Sequence, residues 1–269
     1  MSTTLARSEA GGPAEVRVGH DRAGTGRATR TPIADDGDAL RFCSTCAFGA
    51  VCCDRGVDKL ALNELHCLVE HVGPYRAGEA VFRNGERFGA IYAVRSGTVK
   101  TRVVDLEGRE LVLGFHLPGE LVGLDAIHPE CYPCDAIALE PVEVCRFSFP
   151  ALSTLAARLP GIQRELFRRM SKDIGGKALL AGDYSSDERL SAFLVLLGRR
   201  YAERGFAPGA LHLAMSRGDI ANYLRLAAET VSRVLRRFQD QGLIRVDGRD
   251  LAIAKPAELY ALARPILDR

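Results

Sequence analysis

Ser216-Arg217-Gly218-Asp219-Ile220-Ala221-Asn222-Tyr223-Leu224, then Arg225-Leu226-Ala227, then Ala228-Glu229-Thr230-Val231-Ser232-Arg233-Val234-Leu235-Arg236-Arg237 is the stretch whose spacing decides the fold of this end of the chain. Ser216 stands as a helix N-cap, with Asp219 three residues on in a capping-box-like position. Arg225 to Ala227 form a tight connection, and a second helix runs from about Ala228 to Gln241, where Gly242 occupies the left-handed C′ position. Ile220, Leu224, Leu226, Val231 and Leu235 supply one apolar face between the two helices, while Glu229, Ser232, Arg233, Arg236 and Arg237 point elsewhere. This is helix-turn-helix geometry. Two details depart from the ideal: Arg225 fills a turn where glycine is easier, and Ala227 or Ala228 offers no capping side chain, a loss of about 1 kcal/mol.

Immediately downstream, Leu243 to Ile253 reads as two short strands around the Asp247-Gly248 turn, a wing. The chemistry of the second helix suits base reading. Arg233 can fork to guanine O6 and N7, Glu229 can accept from cytosine N4, and Ser232 serves either base. Arg236 and Arg237, one turn on, are placed for phosphates, which position a helix without specifying sequence. A protein-interaction module with a charged solvated face is the alternative, but cap, turn, apolar spacing, polar face and wing all agree on nucleic acid.

Upstream, from Pro74 to about Pro150, short alternating stretches such as Ala90-Ile91-Tyr92-Ala93-Val94 and Val99-Lys100-Thr101-Arg102-Val103 are punctuated by Gly78, Gly85, Gly97, Gly108, Gly114 and Gly119. Strands at this spacing with glycine turns predict an antiparallel barrel or sandwich. After Pro160 the period lengthens. Ile162, Leu166, Met170, Ile174, Lys177 and Ala181 mark one stripe of a long helix, a coiled-coil-like seam expected to form a dimer interface rather than to pack on its own barrel. Gly175-Gly176 and Lys177, which would meet its own copy in a parallel pair, weaken that seam.

Residues 1 to about 38 are rich in Gly, Ala, Arg, Thr and Asp, without periodicity, and read as a disordered tail. Within 269 residues there are eight cysteines and a net charge of only +2; a nucleic-acid surface must therefore come from local arrangement, not total charge. The absence of a signal segment near Met1 and of a long apolar run predicts a cytoplasmic protein without a membrane span. In a reducing compartment a cysteine cluster reads as a metal or redox site before a disulfide framework. Cys43, Cys46 and Cys52 form Cys-x2-Cys-x5-Cys, and thiolate-only sites select zinc or iron-sulfur clusters. The histidines, His20, His66, His71, His116, His128 and His212, show no spacing to a nucleophile or carboxylate that suggests catalysis.

A thiolate cluster, a glycine-punctuated barrel, a long helix and a winged helix-turn-helix, in that order, resemble the CRP/FNR superfamily of bacterial transcription regulators, and the cysteines narrow the resemblance to the FNR branch. It runs from about Arg41 to the end. It is carried by the Cys43 to Cys52 spacing, Ile91 to Lys100, Gly114 to Gly123 and Glu229-Thr230-Val231-Ser232-Arg233. The resemblance implies an α+β chain: a tail over 1–38, a cluster-binding loop and cyclic-nucleotide-binding-like β-roll (jelly roll) over 39–159, a dimerisation helix and hinge over 160–186, and a winged helix-turn-helix over 187–269. It further implies a non-enzymatic, oxygen-responsive regulator in which a [4Fe-4S] cluster on Cys43, Cys46, Cys52 and Cys145 promotes dimerisation. The homodimer would bind double-stranded DNA at a two-fold TTGAT-N4-ATCAA-type site through Glu229, Ser232 and Arg233 and contact RNA polymerase, and oxygen would release it.

Spacing alone does not choose the fourth ligand among Cys53, Cys67, Cys131, Cys134 and Cys145; the family pattern favours Cys145, following Asp125-Ala126-Ile127 and Ala138-Leu139-Glu140. Cys131 and Cys134 with Cys43 and Cys46 make a rival four-thiolate zinc site, but the 84 residues between Cys46 and Cys131 far exceed the usual gap of about 15 to 20. A cyclic-nucleotide sensor is the other rival. Gly119-Glu120-Leu121 resembles its phosphate pocket, yet Gly123 to Ala138 contains no arginine or lysine to neutralise a buried phosphate. Two departures from the family are a path between Ala181 and Glu188 about one helical turn shorter, and a longer N-terminal tail.

Overall fold

In the computed structural model, residues 30–31, 68–178, 182–207 and 209–268 are described, with backbone alone over 30–31 and 173–178. Cys43, Cys46, Cys52, Cys53 and Cys67, the side chains of Ile174 and Lys177, Ala181 and most of the 1–38 tail lie outside the described residues. The tail reading needs one correction. Arg30–Thr31 forms a two-residue strand, β1, opposite His71 and Val72 of β2 (Val69–Tyr75).

The roll is two antiparallel sheets. One orders β1, β2, β9 (Val142–Ser148), β4 (Ala90–Ser96) and β7 (Leu121–Val122). The other orders β3 (Ala80–Phe82), β8 (Asp135–Ala138), β5 (Val99–Val104) and β6 (Glu110–His116), so β6 is an edge. Strand alternation sorts their side chains. Val72, Tyr92, Val94, Val99, Val142 and Val144 face the space between the sheets with Phe82 and Tyr132, whereas Ile91, Ala93 and Phe147 face outward onto helices. Gly97 turns β4 into β5 at φ +76°, and a Cβ there would lie 2.3 Å from Pro141 O, so only glycine fits. Gly114 is not a turn. It sits inside β6 beside a bulge where the register jumps from Thr101↔Gly114 to Arg102↔Val112, a common place for a strand glycine.

Helix α1 (Phe149–Arg158), with Pro150 in its first turn, follows β9 directly, and α2 (Pro160–Ala178) follows α1. Part of the expected seam packs inward. Ile162 is 1% exposed and packs with Ile91, Phe147, Leu152 and Leu155 of the same chain. Leu166 and Met170 touch the same cluster but stay part-exposed, and the large apolar side chain left exposed on the described part of α2 is Phe167, 62% exposed.

The C-terminal unit comprises α3 (Ser186–Ala202), β10 (Ala210–His212), α4 (Arg217–Leu224), α5 (Ala228–Asp240), β11 (Ile244–Asp247), β12 (Asp250–Ile253) and α6 (Pro256–Leu267). The wing is a three-stranded sheet in the order β10, β12, β11, and the unit ends in helix α6. A single core joins this unit to the roll. Val112, Phe115 and Leu117 pack with Leu190, Phe193, Leu197, Ile220 and Leu224.

Arg225 closes α4 at φ 60°, ψ 44°, a left-handed conformation that disfavours a Cβ. Its side chain is exposed, so Arg225→Gly should remove strain without removing a contact. We expect a gain of about 0.5–1 kcal/mol, read from the urea midpoint.

Candidate nucleic-acid interface and cluster ligand

The reader is held by two capped and interlocked helices. Ser216 Oγ accepts from Asp219 N at 3.0 Å, and the Asp219 carboxylate accepts from Ser216 N at 3.0 Å, closing the capping box that the sequence indicated. Ile220, Leu224, Val231 and Leu235 are buried between α4 and α5, and Leu226 packs on them. Ala227 caps α5 without a side-chain bond. Burying that stripe turns the opposite face outward: Glu229, Ser232, Arg233 and Arg236 are all exposed. Arg233 Nη2 donates to Thr230 Oγ1 at 3.3 Å, and Ser232 Oγ donates to Ala228 O at 3.0 Å.

Arg237 is also exposed, and unlike Arg236 it forms an ion pair, with Asp187 on α3. A cleft of about 390 Å³ runs between α4, α5 and the wing, lined by Arg217, Ser232, Arg236, Gln239, Asp240 and Val246 among others. Arg217 was not singled out from the sequence as a phosphate contact. It is half-buried at the start of α4 and has no ion-pair partner among the described residues; burial pushes its guanidinium below its ordinary value. A desolvated cation facing a cleft across from Arg236 suits a phosphate. The sequence signal was there, since a basic residue directly after an N-cap stands where helix N–H groups also converge on an anion.

Of the expected cluster ligands, Cys145 is described. It lies on β9 between β2 and β4, opposite His71 and Ala93, and packs on the cluster formed by Phe147, Leu152, Leu155 and Ile162. It therefore looks out towards α1 and α2 and is only half-buried. Cys134 is different: 0% exposed, it is enclosed between the two sheets with Sγ 3.7 Å from Asp125 Oδ2. That enclosure removes it from the reach of an outside loop and argues against the Cys131/Cys134 zinc alternative. Among the described residues no group of three or more His, Cys, Asp or Glu is placed to hold a metal.

The Gly119-Glu120-Leu121 segment has also acquired a different use. The carboxylate of Glu120 accepts from Leu117 N and Arg200 Nε, each at 2.8 Å, and pairs with Arg204 Nη2 at 2.8 Å. Burial alone would raise its pKa, but Arg200 and Arg204 outweigh that and hold it down to about 2. Its acceptor sites face Leu117 N of the roll and Arg200 and Arg204 of α3.

The roll matches the cyclic nucleotide-binding domain family over residues 73–158, and the C-terminal unit matches the Crp-like helix-turn-helix domain family over residues 188–262. The transcriptional activator protein Anr of Pseudomonas aeruginosa is 42% identical over 224 residues, covering 82% of this chain and 92% of that protein. The chain belongs to the FNR branch of the CRP/FNR superfamily. The fumarate and nitrate reduction regulatory protein of Escherichia coli K12 is 38% identical, covering 84% of this chain and 92% of its own. Among solved structures, FixK2 from Bradyrhizobium japonicum has 28% identity and a TM-score of 0.65, covering 72% of this chain and 96% of that one.

This FNR-type chain is a DNA-binding transcription regulator and not an enzyme, and regulators of the family are generally dimeric. No described helix is long and apolar enough to cross a membrane.

Proposed function

We propose that this regulator is cytoplasmic and oxygen-responsive, with Cys43, Cys46, Cys52 and Cys145 holding a [4Fe-4S] cluster at low oxygen. In that state it dimerises, binds a two-fold TTGAT-N4-ATCAA-type site and contacts RNA polymerase; loss of the cluster to oxygen releases the DNA. When bound, the cluster supplies an oxygen-labile crosslink between thiolates. Four cysteine thiolates are the donor set such clusters require, and the half-buried, outward-looking Cys145 fits that role where the enclosed Cys134 does not. The observation that carries the reading is the face Cys145 occupies, which it shares with Ile162, Leu166 and Met170 of α2.

A loop anchored at Cys145 therefore bears on the packing of the helix that precedes the reader. A few kcal/mol of such packing is enough to move a monomer–dimer balance across its midpoint. Two half-sites about one turn apart need two recognition helices, so the dimer is the reading form. We place the domain limits near residues 38, 159 and 186; α1 ends at Arg158 and α3 begins at Ser186, while residue 38 lies outside the described residues. A cyclic-nucleotide effector is disfavoured by the occupied Glu120 carboxylate and by the lack of Arg or Lys from Gly123 to Ala138.

The test is anaerobic purification of the native chain, with optical, iron and sulfide analysis and DNA binding before and after air exposure. About four irons and four sulfides per chain are expected, with two-fold-site binding that air abolishes. Zinc without sulfide, or binding indifferent to air, overturns the reading.

Base reading and phosphate anchoring separate by mutation. Arg233→Ala should cost about 1–3 kcal/mol and relax specificity at one base pair. Arg236→Ala should weaken all sequences alike and lower the slope of log affinity against log salt by about 1. Competition binding at several salt concentrations reads both.

A further inference from the structure

We infer that the β6 edge of the roll is a docking platform that sets the pose of the recognition helix. Helix α4, the first of the helix-turn-helix, lies against β6. The Asn222 side-chain amide bonds to that edge strand twice, accepting from Val112 N at 2.8 Å and donating to Glu110 O at 2.7 Å. It thus replaces the neighbouring strand that β6 lacks. One turn earlier, Asp219 takes Lys100 Nζ at 2.5 Å, and the same ammonium reaches Glu110 at 2.6 Å. Lys100 is only 7% exposed, so its two carboxylates are needed to keep the charge there. Tyr223 adds an edge contact to the Phe115 ring at 5.3 Å.

Asp219 and Asn222 are three residues apart and share a face of α4, and Ile220 and Leu224 share one buried cluster with Val231 and Leu235 of α5 and with Val112 and Phe115 of the roll. The chain of contact runs from β5 and β6, through α4, to the recognition helix without passing through the hinge between α2 and α3. Glu229, Ser232, Arg233 and Arg236 stay exposed while α4 is docked, so the platform presents the base-reading face rather than covering it. In a dimer on a two-fold site, a fixed pose in each protomer makes half-site spacing a property of this contact. Lys100, Asp219 and Asn222 are positioning residues: none is placed among the base readers.

This inference rests on the two-fold site of the proposed function, so its test has one arm without DNA. Native full-length protein, Asn222→Ala and Lys100→Gln are purified anaerobically. Fluorophores are attached at the exposed Leu106 and at Ala257 on α6 through handles other than cysteine, and transfer efficiency gives the roll-to-reader distance distribution. Native protein should give a narrow distribution, and both variants a broad one at unchanged iron content. On operators with spacers of three, four and five base pairs, the variants should bind the four-base site about tenfold more weakly, as expected for losing two hydrogen bonds or a buried ion pair that hold the pose. They should also lose most of the discrimination between spacers. Lys100→Arg should restore both.

Variants that bind more tightly than native protein would show that docking inhibits reading, and unchanged distances and spacing discrimination would show that the contact is passive; either result overturns the inference. Should Asn222→Ala fail to fold, Lys100→Gln and its Arg counterpart decide alone. If the native protein binds no two-fold site, the proposed function fails, while the distance arm still decides whether these contacts hold the reader.

Discussion

Anaerobically purified Cys145→Ala should emerge with iron and sulfide at background level and with no more affinity for a two-fold site than for random DNA, a loss of about 10³-fold or more. The substitution is sterically mild. Cys145 is half-buried on β9 beside Ala93, so removing the sulfur leaves the sheet register intact. The loss would therefore be chemical rather than a matter of folding, and circular dichroism and the urea midpoint should move little. Cys134→Ala is the matched control with the opposite balance. That sulfur lies in the closed interior of the roll, so its removal leaves a small cavity worth about 1 kcal/mol while iron and DNA binding persist. A Cys145→Ala protein that keeps its visible absorbance and its iron would end the assignment of this residue, as would loss of iron on Cys134→Ala.

The same pair of cysteines shows what the amino-acid pattern can and cannot convey. Helices α4 and α5, the wing and the left-handed Gly242 were legible because caps, turn and apolar spacing are local signals that all point the same way. Other features depend on what a segment meets. Helix α1 is short and follows a strand without a loop, although Phe149-Pro150 carried the first-turn proline that marks a helix start. Strand β10 is three residues long and exists because β12 offers it an edge. The stripe Ile162, Leu166, Met170 has one periodicity whether it faces a partner or its own roll, and only the placement of Ile91 and Phe147 shows that Ile162 is covered from within while Leu166 and Met170 stay part-exposed.

Polar partnerships across the chain were the least legible part of the site. Lys100 and Asp219 are 119 residues apart, and Asp219 already has a complete local explanation as a capping residue. Arg237 stands on the exposed face expected for phosphate contact, and its ion pair with Asp187, fifty residues away, could not be read from spacing. Spacing along a helix gives the face a charge occupies, not the charge it meets. Base readers were more accessible to inference because their face is defined by what the helix buries on the other side.

Glu120 carries the second large effect. Its carboxylate joins Leu117 N on the roll to Arg200 and Arg204 on α3, and Arg200 Nη2 and Arg204 Nε also reach the carbonyls of Phe115 and Pro118. Glu120→Gln keeps the shape but leaves two guanidinium groups, one of them nearly enclosed, without their shared counter-charge. Breaking a buried pair in this way costs about 3–5 kcal/mol. The depressed carboxyl gives a similar figure: from the ordinary 4.5 to about 2 corresponds to about 3 kcal/mol at neutral pH. Because the folded-state value lies below the unfolded one, this stability is present in full above about 4.5 and is lost as pH falls through about 2. Unfolding free energies from urea titration of native protein and Glu120→Gln should therefore differ by about 3 kcal/mol at pH 7 and by about half that at pH 3. A gap that stays constant between the two pH values would mean that the ionised carboxylate is not what joins the roll to α3. A gap near zero at pH 7 would mean that the two arginines find other partners once Glu120 is neutral.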